Sequence, residues 1–181
     1  MTRYALLVRG INVGGKNKVV MAQLRQELAE LGLENVETYI NSGNIFFDSS
    51  KARTLLVESL QGFFEVHYPF IKSFSLVSQE DYEEELRTLP AWWFQEMARK
   101  DVLFYTEGLH VETVVEKVKT LQLLDEVLHF GKHGIFWGKL SEETYAKTAY
   151  YKQLLKLPFY CKITIRNANT FDKIGQFFKH K

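Results

Sequence analysis

Tyr4-Ala5-Leu6-Leu7-Val8-Arg9-Gly10-Ile11-Asn12-Val13-Gly14-Gly15-Lys16-Asn17 is the stretch on which the interpretation of this chain turns. Residues 4 to 8 are apolar at both parities. A strand with one wet face alternates, so this one is expected to be covered on both faces. The strand runs into a glycine-rich loop that carries two cations, Arg9 and Lys16, and two amides, Asn12 and Asn17.

Outward from that loop, Met21, Leu24, Leu28 and Leu31 recur at helical spacing, and Gly32 marks the stop. Val36 to Ile40 reads as a strand, Ser42-Gly43 as a two-residue turn, and Ile45 to Phe47 as the returning partner. Ala52 to Val66 presents Leu56, Leu60, Phe63 and Phe64 on one helical side, and Phe70 to Val77 reads as a further strand. The order is β-α-β-β-α-β.

Between residues 78 and 100 the pattern changes to an acidic helical stretch, Glu80 to Arg87, and an apolar cluster of Trp92, Trp93, Phe94 and Met97. The first order then returns. Val102 to Tyr105 is a strand; Val111, Val114, Val115, Val118 and Leu121 mark a helix. Val127 to Phe130 and Ile135 to Trp137 flank a Gly131-Lys132-His133-Gly134 turn. Glu142 to Leu155 is expected to be helical and Cys161 to Ile165 to be the last strand. Phe171 to Phe178 is expected as a closing helix capped near Asn169 or Thr170. The expected class is α+β, with two tandem ferredoxin-like repeats. Residues 1–77 form the first half with the glycine loop, 78–100 a helical connector, and 101–181 the second half with a C-terminal helix.

Composition bounds the partners. The chain has 181 residues, 46% hydrophobic and 25% charged, with a formal net charge of +1. Those are values of a globular chain able to bury a core, and no bulk field marks nucleic acid or membrane as a target. The single cysteine, Cys161, excludes an intrachain disulfide. The apolar run after Met1 is too short for a signal peptide, and nothing approaches a membrane span. A cytoplasmic protein is expected.

Right-handed crossovers make the first two strands of such a unit parallel, so the loop after strand one and the turn after strand two share one sheet end. Arg9, Gly10, Asn12, Gly14, Gly15, Lys16 and Asn17 are therefore expected beside Asn41, Ser42, Gly43 and Asn44. In the second half the matching positions, Thr106 to Leu109 and the Lys132-His133 turn, lack the glycine pair and the amides.

Gly10 to Asn17 comes within one residue of the phosphate-loop pattern, but Asn17 stands where a hydroxyl would hold magnesium. The helix also begins late, and the sheet is not parallel. An anion cradle built from loop N–H groups and two cations accounts for the residues, and so does a long turn with a solvated lysine. Asn41 to Asn44 is equally hairpin chemistry. Arg166 and Asn167, after the last strand, could meet a phosphate or carboxylate or tie down the tail.

Other signals are weaker. His129 and His133 straddle a glycine turn and do not share a helix face, so no metal set is assigned. Cys161 alternates with Ile163 and Ile165 and reads as a core thiol; Glu83, Glu84 and Glu85 read as a solvated helix face. Phe46-Phe47 and Phe136-Trp137 lie where RNA-recognition modules place aromatics, without the flanking signature. From Lys162 to Lys181 there are five Lys/Arg against one acidic residue, a basic tail that admits nucleic acid.

Residues 4–15, Thr38-Tyr39-Ile40-Asn41-Ser42-Gly43-Asn44 and Thr164-Ile165-Arg166-Asn167 together resemble a bacterial family catalogued as domain of unknown function 1697. The resemblance implies a cytosolic protein of two ferredoxin-like repeats and supplies no activity. Asn41 stands where that family commonly has glutamine, and Ala168 where a tryptophan usually follows Arg-Asn. The leading expectation is binding of a small anionic, phosphorylated or nucleotide-like ligand at the Arg9–Asn17 loop. An enzyme acting on such a ligand, a nucleic-acid-binding protein, and an interaction module using Trp92-Trp93-Phe94 are the alternatives. No catalytic residue or cofactor is assigned.

Overall fold

The computed structural model describes residues 1–179. The chain divides into two compact units: Met1–Tyr82 together with the C-terminal end from Ile174, and Glu83–Lys173.

In the first unit β1 (Thr2–Val8), α1 (Met21–Glu30), β2 (Glu34–Tyr39), β3 (Asn44–Ser49), α2 (Arg53–His67) and β4 (Phe74–Ser78) follow one another. The sheet order is β2-β3-β1-β4, and every neighbouring pair is antiparallel. The central strand, β1, is buried from Arg3 to Val8, as an apolar run without alternation requires. On one face Leu6, Val8, Ile45 and Phe47 pack with Leu24, Leu28, Leu56, Leu60 and Phe64 from the two helices. Each such side chain stabilises by about 1.5–3 kcal/mol relative to exposure. On the other face Phe46 lies flat against Phe177, with ring centroids 4.2 Å apart. Phe178 meets Phe46 edge-on and also packs on Tyr82.

After α3 (Gln79–Thr88) and a single 3-10 turn (Ala91–Phe94), the second unit holds β5 (Arg99–Tyr105), α4 (Val111–Lys119), β6 (Glu126–Phe130) and β7 (Gly134–Lys139). These are followed by α5 (Ala149–Lys152), β8 (Ile163–Asn167) and α6 (Ala168–Lys179), whose residues from Ile174 belong to the first unit. Its sheet order is β6-β7-β5-β8, again antiparallel throughout. Leu103, Ile135, Trp137 and Ile163 face Val114, Val118 and Leu154. On the opposite face Phe136 meets Trp93 and Phe171 edge-on at 4.9 and 5.4 Å. Both central aromatic strands are therefore covered, and their rings are not open to stacking bases. The protein is α+β, with two four-stranded antiparallel sheets and six α-helices among the described residues.

Four expectations are corrected. Residues 142–155 are not one helix but 3-10 turns at Tyr145–Lys147 and Leu154–Lys156 around the short α5. The break is tertiary. Thr148 is extended and its hydroxyl accepts from Tyr151 N, while the buried Glu126 carboxylate of β6 accepts from Ala149 N and Tyr150 N. Those bonds start a new turn where helical spacing alone shows continuity. The last strand begins at Ile163, because Lys162 N bonds Phe159 O at 2.7 Å and closes a turn there. Cys161 sits in that turn and is exposed, not a core thiol. Finally, α6 begins at Ala168 and its cap is Asn167, whose Oδ1 accepts from Thr170 N at 2.9 Å. The last two residues of the basic tail, 180 and 181, lie outside the described residues.

Candidate functional site

The loop after β1 folds back on itself. Asn12 N donates to Asn17 O, Asn17 Nδ2 to Gly10 O at 2.8 Å, and Lys16 N to Val13 O at 3.0 Å. Gly14 and Gly15 have φ of +57° and +73°, so Val13 to Lys16 is a two-residue hairpin turn of the primed type. That turn demands positive φ at both central residues, which explains the glycine pair without a ligand. Val13, Lys16, Asn17 and Lys18 are exposed at and beside its tip. Neither lysine ammonium has a hydrogen-bond or ion-pair partner among the described residues. Arg9 is half-buried at the root, with contacts of its own inside the fold.

Asn12 joins this loop to the turn between β2 and β3. Its Nδ2 donates to Asn41 O at 3.0 Å and to Val19 O at 3.1 Å, and its Oδ1 accepts from Val19 N at 2.8 Å. Val8 N donates to Gly43 O at 3.0 Å, closing the same junction from the strand side. Gly43 has φ of +89°, and a Cβ there would lie 2.3 Å from Val8 Cγ2. The buried Asn44 donates through Nδ2 to Tyr39 O and Ser42 Oγ. Asn12 and Asn44 thus hold backbone, while Asn41 and Ser42 stay exposed beside the loop. Ile40 is a β-branched residue at φ of +49° and is exposed, a conformation that side chains of its kind rarely adopt.

Arg166 and Asn167 belong to the second unit. Arg166 is buried and donates from Nη1 to Ile165 O, with further contacts in the fold. Asn167 caps α6, as above. Of the three glutamates expected on a solvated face, Glu83 is exposed and Glu84, partly exposed, pairs with Lys132 Nζ at 2.9 Å, but Glu85 is buried and accepts from His133 N. Burial pushes the Glu85 carboxyl above the usual carboxylate range, and the contacts with Lys132 and His133 hold Glu84 below it. Together they clamp the β6–β7 turn, and at Gly131 a Cβ would lie 2.2 Å from Glu85 Oε2.

Sequence reasoning missed a polar cluster in the second unit. Lys139 on β7 is fully buried, and its ammonium bonds Asp101 Oδ2 and sits 3.6 Å from the centre of the Tyr150 ring. Desolvation lowers the Lys139 pKa against the opposing pull of Asp101, and burial, with the Asp101 charge nearby, raises that of the Tyr150 hydroxyl. These residues stand 38 and 11 positions apart along the chain. The one local hint is a lysine closing the otherwise apolar segment from Ile135, which reads as a strand end. Among the described residues no group of three His, Cys, Asp or Glu could hold a metal ion, and no helix is long and apolar enough to cross a membrane.

Two such sheets and a polar edge define a class of α+β protein rather than an activity, and the comparisons agree. A family model described as "Protein of unknown function (DUF1697)" matches residues 1–136, and the chain belongs to that family. Among solved structures it is similar to a conserved bacterial protein from Streptococcus pneumoniae, at 71% identity over 98% of each chain with a TM-score of 0.96. None of the curated proteins matches.

Proposed function

We propose that the protein is a cytosolic binding protein of two ferredoxin-like repeats, and that its first repeat takes a small phosphate-bearing ligand at the edge where loop and turn meet. The repeat reading is supported by the same antiparallel strand order in each unit, β2-β3-β1-β4 and β6-β7-β5-β8. The binding reading is carried by one observation, the Asn12 side chain bonded at once to Asn41 O, Val19 O and Val19 N. That clamp fixes a lysine-bearing hairpin against an exposed Asn-Ser turn, and such fixed placement lowers the ordering cost of binding. Lys16 and Lys18 supply charge, Arg9 stands at the root, and Asn17, Asn41 and Ser42 are the polar groups around them. The glycines contribute shape only.

Isothermal titration of inorganic phosphate, nucleotides and sugar phosphates into the wild type and Lys16→Ala tests the proposal. A saturable heat for at least one phosphate compound, weakened in the variant, is the expected result. Equal heats for both proteins, or none for either, refute it.

A further inference from the structure

A cavity of about 490 Å³ opens in the second unit; Arg99, Asp101, Tyr145, Tyr150, Asn167 and Asn169 are among its lining residues. We propose that it is a binding site for a small phosphate ester that also carries hydroxyl groups, independent of the loop in the first unit. Two neighbouring features point to that chemistry. Arg99 bonds Glu142 at 3.0 to 3.3 Å, an ion pair exposed on both sides, and its guanidinium lies 3.8 Å over the Tyr145 ring. An exposed pair of this kind holds weakly, so an incoming phosphate displaces Glu142 from a guanidinium the ring keeps in place. Asn167 has its Oδ1 on Thr170 N, so its Nδ2 is the donor left for a ligand oxygen.

The other feature is Asp101. Its charge is matched from behind by the fully buried Lys139, whose ammonium also lies over the Tyr150 ring. A carboxylate so balanced offers an acceptor without the net charge that would draw a cation, which suits a neutral hydroxyl. A guanidinium for the anionic end and a fixed acceptor for the hydroxyl end therefore meet in one cavity of ordinary ligand size.

Amide ¹H–¹⁵N titration of the intact chain with glycerol 3-phosphate, inorganic phosphate and glycerol tests this. Saturable shifts at Arg99, Asp101, Asn167 and Asn169 are expected with glycerol 3-phosphate below about 10 mM, with inorganic phosphate about tenfold weaker. Glycerol is expected to give none. Arg99→Gln, at an exposed position, is expected to weaken glycerol 3-phosphate at least tenfold with the spectrum away from the cavity unchanged. Lys16→Ala is expected to leave these shifts intact, so this site stands or falls apart from the first. No saturable shifts at those amides, equal binding by Arg99→Gln, or inorganic phosphate binding as tightly as the ester each overturns the proposal.

Discussion

Replacing Gly43 by alanine places a Cβ 2.3 Å from Val8 Cγ2 and 3.0 Å from Val8 O, at a backbone φ of +89°. Two costs combine. An L-residue held in the left-handed region loses about 1–2 kcal/mol. Forcing Val8 aside in a packed strand costs about 1–3 kcal/mol more, because Val8 is wholly buried and its own N–H donates to Gly43 O. The expected loss is therefore about 2–5 kcal/mol. Gly14→Ala is the matched control: its φ is +57° and nothing lies within 4 Å of the added carbon, so only the conformational cost applies. Urea denaturation followed by far-ultraviolet circular dichroism measures both, with stability differences taken from the midpoints at constant slope. Gly43→Ala must fall clearly below Gly14→Ala. Coincident curves for the two variants, or a Gly43→Ala loss under about 1 kcal/mol, would refute the close packing of turn on strand.

Asn12→Ala is expected to cost about 1–3 kcal/mol, since it leaves Val19 N and two carbonyls without partners. Faster hydrogen exchange at Val19 N than in the wild type checks it. Asp101→Ala strands the buried Lys139 ammonium and is expected to cost about 3–5 kcal/mol, whereas Asp101→Ala with Lys139→Met costs less than the single change. A double variant no better than the single one counts against the pair. Glu85 carries a raised pKa, so its folded form holds the proton more tightly than the unfolded chain does. Its contribution is full below the ordinary carboxylate range and is lost as pH rises through the folded pKa. Glu85→Gln keeps an acceptor for His133 N and removes the charge, so its stability is expected to decline less across that rise, as read by thermal melts at several pH values. Parallel pH profiles for the two proteins would exclude Glu85 as the source.

Much of the architecture is legible in local pattern. The unalternating run Tyr4 to Val8 predicts a strand covered on both faces, and β1 is buried from Arg3 to Val8. Ser42-Gly43 predicts the turn between β2 and β3, and the crossover rule predicts that this turn meets the glycine loop, which the Asn12 to Asn41 bond does. Where pattern misled, a distant partner had taken over. Thr148 and the Glu126 carboxylate break the helix expected over 142–155, and Glu85 turns inward because the β6–β7 turn needs its oxygen.

The amino-acid sequence by itself determined the α+β class, the order of the elements and the family, because apolar periodicity and turn residues act over a few positions and are written in the order they are used. Only the tertiary structure decided which polar side chains are bonded within the fold and which stay exposed. Asn12 became a clamp, Asn167 a helix cap, and Asp101 and Tyr150 one cluster around the buried Lys139 ammonium. The physical reason is that hydrogen bonds and ion pairs form between groups that are close in space, and residues 38 positions apart on β5 and β7 become neighbours only when the sheet has assembled.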